Sequence, residues 1–252
     1  MTAPDRGTGI YDDLEAEEDR LDEVLGTFGR DDWGRPSAAA GWSVSDVVLH
    51  LAQTEELVVA SAKGDPAPFA REPGQGGSVD EFAARSVEHE RGTPPDAVYP
   101  RWRAARHAAL DALRGCQAGT RLPWATNPLS PATLATTRLA EHWAHALDIT
   151  SPLGIAYPDT ARLRHVAWLA VRTLPYALAV AGLEARPVRC ALTGPDGEQW
   201  EFGPEDAESY ITGAAGAFCR VAAQRLAPEA SGLTATGPDA ATALRAVRTY
   251  AA

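Results

Sequence analysis

The segment that opens at Ser130-Pro131 constrains this chain most. Serine caps a helix and proline tolerates the first helical position, so a helix starts there, and no glycine or proline interrupts it before Ile149. At about 100° per residue, Leu134, Arg138, Glu141, His145 and Asp148 share one narrow stripe. Leu139, Trp143, Ala146 and Leu147 fall on the opposite side. Two readings of the polar stripe stand. It faces water, with Arg138 and Glu141 as an exposed pair, or it lines a polar cleft inside a bundle. Leu134 and Ile149 bracket the stripe and favour burial, where ionisable groups persist only if paired or bound to metal.

Within the stripe, Glu141 and His145 stand one helical turn apart, so a carboxylate oxygen and an imidazole nitrogen can converge on one side. His50, in Val47-Val-Leu-His50-Leu, is a donor that a second helix could bring to them. Two nitrogens and one oxygen suit Zn2+, and three protein ligands leave a fourth position for water or substrate. A Glu-x-x-x-His pair on a charged helix is also a common solvated salt bridge.

With 252 residues and 45% hydrophobic side chains, the chain can bury one large core or two moderate ones. A net charge of -11, with Lys63 as the sole lysine, argues against a nucleic-acid partner. Much of the acid lies between Asp12 and Glu23, read as the wet face of a first helix. No run reaches the roughly 18 apolar residues of a membrane span, and Met1-Thr-Ala-Pro-Asp5 lacks the character of a secretion signal, so a cytoplasmic protein without membrane association is expected. Cys116, Cys190 and Cys219 are odd in number and widely spaced, and read as buried, reduced thiols.

Further elements follow from spacing. Ile10, Leu14, Leu21, Val24, Leu25 and Phe28 mark a first helix. Ser43 stands three residues before Asp46, a carboxylate variant of the capping box, and opens a second helix with Val44, Val47, Val48, Leu51 and Val58 inward. Residues 63–76, rich in Gly, Pro and Ala, make a loop long enough to be a lid or cleft wall. A short helix over Phe82–Glu90 and a longer one from Pro94-Pro95 to Gly115 come next. Asp159 is expected to cap a last long helix reaching Leu183, kinked at Pro175. His89, His107 and His165 read as packed or surface histidines.

Beyond Glu184 the pattern changes. Val188–Leu192 and Gln199–Phe202 read as strands about the turn Gly194-Pro-Asp-Gly197. A strand over Asp206–Ile211, a helix over Ala214–Leu226, a strand over Leu233–Thr236 and a closing helix over Pro238–Tyr250 complete it. The expected class is α+β, with a helical domain over residues 1–184 and a small α+β domain over 185–252.

The element Gly41-Trp-Ser-Val-Ser-Asp46-Val-Val-Leu-His50-Leu, with Arg138-x-x-Glu141-x-x-x-His145-x-x-Asp148, resembles the paired metal motifs of the mycothiol-dependent maleylpyruvate isomerase family, within the DinB-like four-helix bundles. The tail from Pro187 resembles the sterol-carrier-like domain such proteins append, and the whole looks closest to an actinobacterial subfamily. The resemblance implies zinc on His50, Glu141 and His145, mycothiol or a related low-molecular-weight thiol as co-substrate, and a small electrophile as substrate. A monomer or homodimer is expected. Asp46 is a helix cap or, with Asp148, a partner of a ligating imidazole. Arg138 orients an anionic substrate or pairs with Glu141, and Arg225 is a surface residue or reaches a cleft. Three functions compete: a thiol-dependent transferase or isomerase, a thiol-independent Lewis-acid cyclase, lyase or hydrolase, and a non-enzymatic metal or ligand-binding module.

Overall fold

The computed structural model describes residues 9–65, 78–124 and 127–249. The chain is α+β and separates into two compact units, Thr8–Tyr157 and one that includes Pro158–Ala252.

The first unit is a bundle of α1 (Ile10–Leu25), α2 (Val44–Ala62), α4 (Pro95–Arg114) and α5 (Pro131–Leu153), with α3 (Val79–Glu90) beside α2. Helix α1 packs on α5 and α2 on α4, and α5 also meets α2 and α4. Each start has a local cause. Ser43 accepts from the Asp46 amide while the Asp46 carboxylate accepts from the Ser43 amide, a complete capping box. Ser130 accepts from the Thr133 amide ahead of Pro131. Helix α5 runs past the expected Ile149 to Leu153 and stops at Gly154, whose φ of +68° suits glycine. It is buried on both its apolar and polar faces, so the polar stripe lies inside the bundle rather than in water.

Pro152 sits inside α5 and has no N–H for the carbonyl of Asp148, four residues earlier. The Ala38 amide takes that carbonyl at 2.8 Å, which docks the loop between α1 and α2 onto α5. Inside this loop Trp42 O accepts from the Ser37 amide (2.9 Å) and hydroxyl (2.8 Å).

The acidic first helix departs from its reading as a wet face. Glu17 and Glu18 are each only 1% exposed. Tyr157 donates to Glu17 at 2.7 Å, while Glu18 lies four residues after Leu14 and three before Leu21, on the inward stripe. The proposed lid falls almost wholly on residues 66–77, outside the described residues.

The second unit holds α6 (Leu163–Val180), a four-stranded sheet, α7 (Ala215–Ala222) and α8 (Ala240–Ala246). Strands β1 (Val188–Thr193), β2 (Gln199–Phe202), β3 (Ser209–Ala214) and β4 (Thr234–Thr236) lie in the order β2-β1-β3-β4. The β1/β2 and β3/β4 pairs are antiparallel and β1/β3 is parallel. Val188, Cys190, Leu192, Trp200, Phe202 and Ile211 face the core in alternation, against Phe218 and Val221 of α7. Cys190 and Cys219 are buried thiols, whereas Cys116 is half-buried. The predicted hairpin turn is present, with Gly197 at φ +88° and its amide bonded to Gly194 O at 3.0 Å.

The structure differs from three expectations. The units divide at Tyr157/Pro158 rather than after residue 184, because α6 buries Leu163, Val166, Ala170, Leu174 and Leu178 and packs on α7, α8 and β2. The bundle already has four helices without it. Asp159 does not cap α6: its carboxylate holds both terminal nitrogens of Arg220 at 2.7 and 2.8 Å, and the helix begins four residues later without a side-chain cap. The third strand also starts three residues late, at Ser209, where its register with Val188 puts Ile211 beside Cys190 in the core.

Candidate metal centre

Helix α2 contributes His50 and helix α5 contributes Glu141 and His145. The His50 Nε2 and His145 Nε2 atoms lie 3.6 and 3.5 Å from the same oxygen, Glu141 Oε2. A tetrahedral ion with bonds near 2.0–2.1 Å separates its ligand atoms by about 3.4 Å, so the three donors already sit close to the edges of such a polyhedron. The donor set and its spacing fit a divalent cation of the zinc class. The imidazoles are buried, while the Glu141 side chain is 28% exposed and marks the open side.

The protonation states follow from what surrounds each group. Burial pushes His50 down to about 4, outweighing its bond with Glu141, so its imidazole is neutral. Burial works against a charged His145 too, but its bonds with Asp148 and Glu141 win and raise it. Glu141 is likewise opposed by burial, yet the two imidazoles and Arg138 hold it well below the usual carboxylate range.

Asp148, buried, takes the His145 Nδ1–H at 2.9 Å, which fixes the tautomer and leaves Nε2 facing Glu141. Asp46 is instead spent on the α2 cap, accepting from the Ser43 amide and hydroxyl. Trp42, half-buried, forms a wall. Its ring lies 5.2 Å from that of His50 and 6.4 Å from that of His145.

A matching family model decides the relationship: the mycothiol maleylpyruvate isomerase N-terminal domain covers residues 14–150, the helical bundle and all three donors. The chain belongs to this family. This mycothiol maleylpyruvate isomerase family member is 36% identical over 235 residues, 90% of each chain, to an uncharacterized protein of Mycobacterium tuberculosis strain H37Rv and to its counterpart in strain CDC 1551 / Oshkosh. Its fold is similar to the crystal structures of the mycothiol-dependent maleylpyruvate isomerase and of a mutant of that protein. The TM-score is 0.62 at 16% identity, covering 90% of this chain and 91% of that one.

In this family member Arg138 is 2% exposed, and its guanidinium is committed to the bundle core. Nε donates to Glu55 Oε1 and Nη2 to Thr54 Oγ1, both at 2.7 Å. Arg225 belongs to the other unit. The helix expected to carry it ends at Ala222, Gln224 takes φ +61°, and Arg225 follows in the turn, donating to Ala223 O.

A second buried group, Glu18, Glu55 and His142, was not picked out by spacing alone. Glu18 and Glu55 each sit three or four residues from inward leucines and valines, and that is the signal that could have found them. His142 does not offer a free lone pair. Its Nδ1–H donates to Arg138 O at 3.0 Å, and Nε2 accepts from the Trp102 indole at 3.2 Å. Arg138 pairs with Glu55 at 2.7 Å and Arg106 stands 4.0 Å from Glu18, so positive charge already lies beside these carboxylates, which argues against a second cation there. Burial and then Arg138 bring His142 down to about 3, keeping it neutral.

Proposed function

We propose that this protein is a metal-dependent enzyme of thiol chemistry, in which His50, Glu141 and His145 hold a zinc-class divalent cation and a mycothiol-type thiol acts on a small electrophile. The observation that carries the reading is the pair of 3.5 and 3.6 Å separations from Glu141 Oε2 to imidazole nitrogens on two different helices. The family assignment supplies the thiol. When bound, such a cation supplies Lewis acidity and lowers the pKa of a thiol or water beside it.

The chain's own groups prepare the site. Burial keeps His50 neutral, Asp148 orients the His145 ring so that Nε2 faces Glu141, and Glu141 stays ionised on the open side. Ligands on rigid helices hold geometry better than ligands on loops. Trp42 shields one flank from water and presents an aromatic face to a reactant. Thiol addition to an activated double bond, rotation about the bond thereby made single, and elimination of the thiol give an isomer. Addition without elimination gives an S-conjugate.

The test begins with elemental analysis of purified protein beside His50→Ala. About one zinc-class ion per chain is expected in the first and a small fraction of that in the second. Turnover of maleylpyruvate and related unsaturated acids is then followed with and without mycothiol. Equal turnover without thiol would move the protein to Lewis-acid chemistry, and a metal content untouched by His50→Ala would remove the site itself.

A further inference from the structure

The end of α6 and α8 form a groove of about 420 Å³ within the second unit, in the size range of small-molecule sites. One wall is apolar. Tyr176, Val180 and Leu183 are 38%, 54% and 42% exposed, three of the five large hydrophobic side chains exposed among the described residues, and all three line this groove. Clustered exposed apolar area marks a binding surface, where single exposed residues do not.

The other wall is basic. Arg245 and Arg248 line it, and neither has a carboxylate partner among the described residues, although the chain carries 34 acidic against 23 basic residues. In so acidic a protein an unneutralised arginine pair is out of keeping with general surface composition. The walls are also anchored. Thr173 donates to Arg248 O at 2.6 Å, Gln224 to Val247 O at 3.2 Å, and the Thr249 amide to Ala222 O at 3.1 Å. The segment carrying Arg248 is therefore fixed to α6 and α7, and the groove exists before any ligand arrives.

We propose that this groove binds a small amphiphilic carboxylate, its apolar chain along Tyr176, Val180 and Leu183 and its head against Arg245 and Arg248. Arginine's fork matches a carboxylate, and the apolar wall calls for a hydrocarbon body. The charge arrangement selects this occupant over two others. A net charge of -11 opposes approach to an anionic lipid surface, which carries many charges, far more than it opposes a single monovalent acid. A second copy of the chain docked here by a two-fold axis would set the same arginines against each other.

Decanoate below its micellar concentration serves as probe, titrated calorimetrically into the full chain, with decanol and decyltrimethylammonium as controls. One decanoate per chain is expected, weaker binding of decanol and none of the cation. Arg245→Gln/Arg248→Gln should weaken decanoate by about tenfold or more, the least expected for losing charge-assisted hydrogen bonds. Val180→Glu should weaken it as well, with unchanged melting curves showing both variants folded. Indifference to head-group charge, unchanged affinity in the arginine variant, absence of binding, or a dimer by light scattering that Val180→Glu dissociates would each overturn the proposal.

Discussion

Replacing Arg138 with methionine keeps most of the side-chain volume and removes the charge. Glu55 then loses its 2.7 Å partner in a bundle core where Glu18 is 1% exposed and its two carboxylate oxygens accept no hydrogen bond among the described residues. Breaking one side of a buried ion pair costs about 3–5 kcal/mol, because the remaining charge is left without compensation. Thr54 loses the Arg138 donor but still donates to His50 O at 3.0 Å, so it adds little. At roughly 2–4 °C per kcal/mol for a chain of this size, Arg138→Met should lower Tm by about 6–20 °C. Thermal denaturation at pH 7 reads the shift, and a urea titration with unchanged m confirms that stability alone has moved. Arg138→Met/Glu55→Gln should recover most of the loss. A variant within about 1 kcal/mol of the parent by these measures, yet devoid of turnover, would refute the buried-pair argument and place Arg138 against substrate.

Other outcomes follow from the same geometry. Asp148→Asn should weaken zinc binding by about 10–100-fold in a chelator competition without changing the number of ions bound at saturation; an unaltered constant would mean that Asp148 does not serve His145. Glu18 is held above the carboxylate range by burial and then by Glu55, so its stabilising contribution is complete below the unfolded value of about 4.3 and is lost as pH rises through its folded value. Glu18→Gln should therefore flatten the fall in stability towards neutral pH, and an identical pH profile in parent and variant would contradict this. Ser43→Ala removes the Asp46 N-cap bond and should cost about 1 kcal/mol, read by urea denaturation.

Local chemistry made the helix starts legible. Ser43/Asp46, Ser130-Pro131 and Pro94-Pro95 each satisfy or remove orphan amides within a few residues, and the helices begin where those residues stand. Helix ends and strand limits were less so, because tertiary register sets them: Ile211 must meet Cys190 in the core, and that pairing moves β3 along the chain. The three metal donors were legible as a motif, whereas their convergence depends on how α2 packs against α5. The inner network was missed for a physical reason. An acidic run reads as solvated until the alternation that turns Glu18 inward is followed residue by residue, and Glu55 is tolerated in an apolar stripe only because Arg138 arrives from a segment far along the chain.

Pro152 gives α5 an anchorage that no side chain supplies. By withholding one amide hydrogen it leaves a backbone acceptor vacant near the C-terminal end of a helix, and Ala38 fills it, fastening the arm that carries Trp42. Alanine at position 152 would restore the helical ladder and set a second amide in competition for the oxygen that holds that arm. The helix would be more regular by itself, and the arm bearing the aromatic flank would keep only its own bonds, such as Val44 N–H to Arg35 O at 3.0 Å. Imperfection in one element is here the means by which another is held in place.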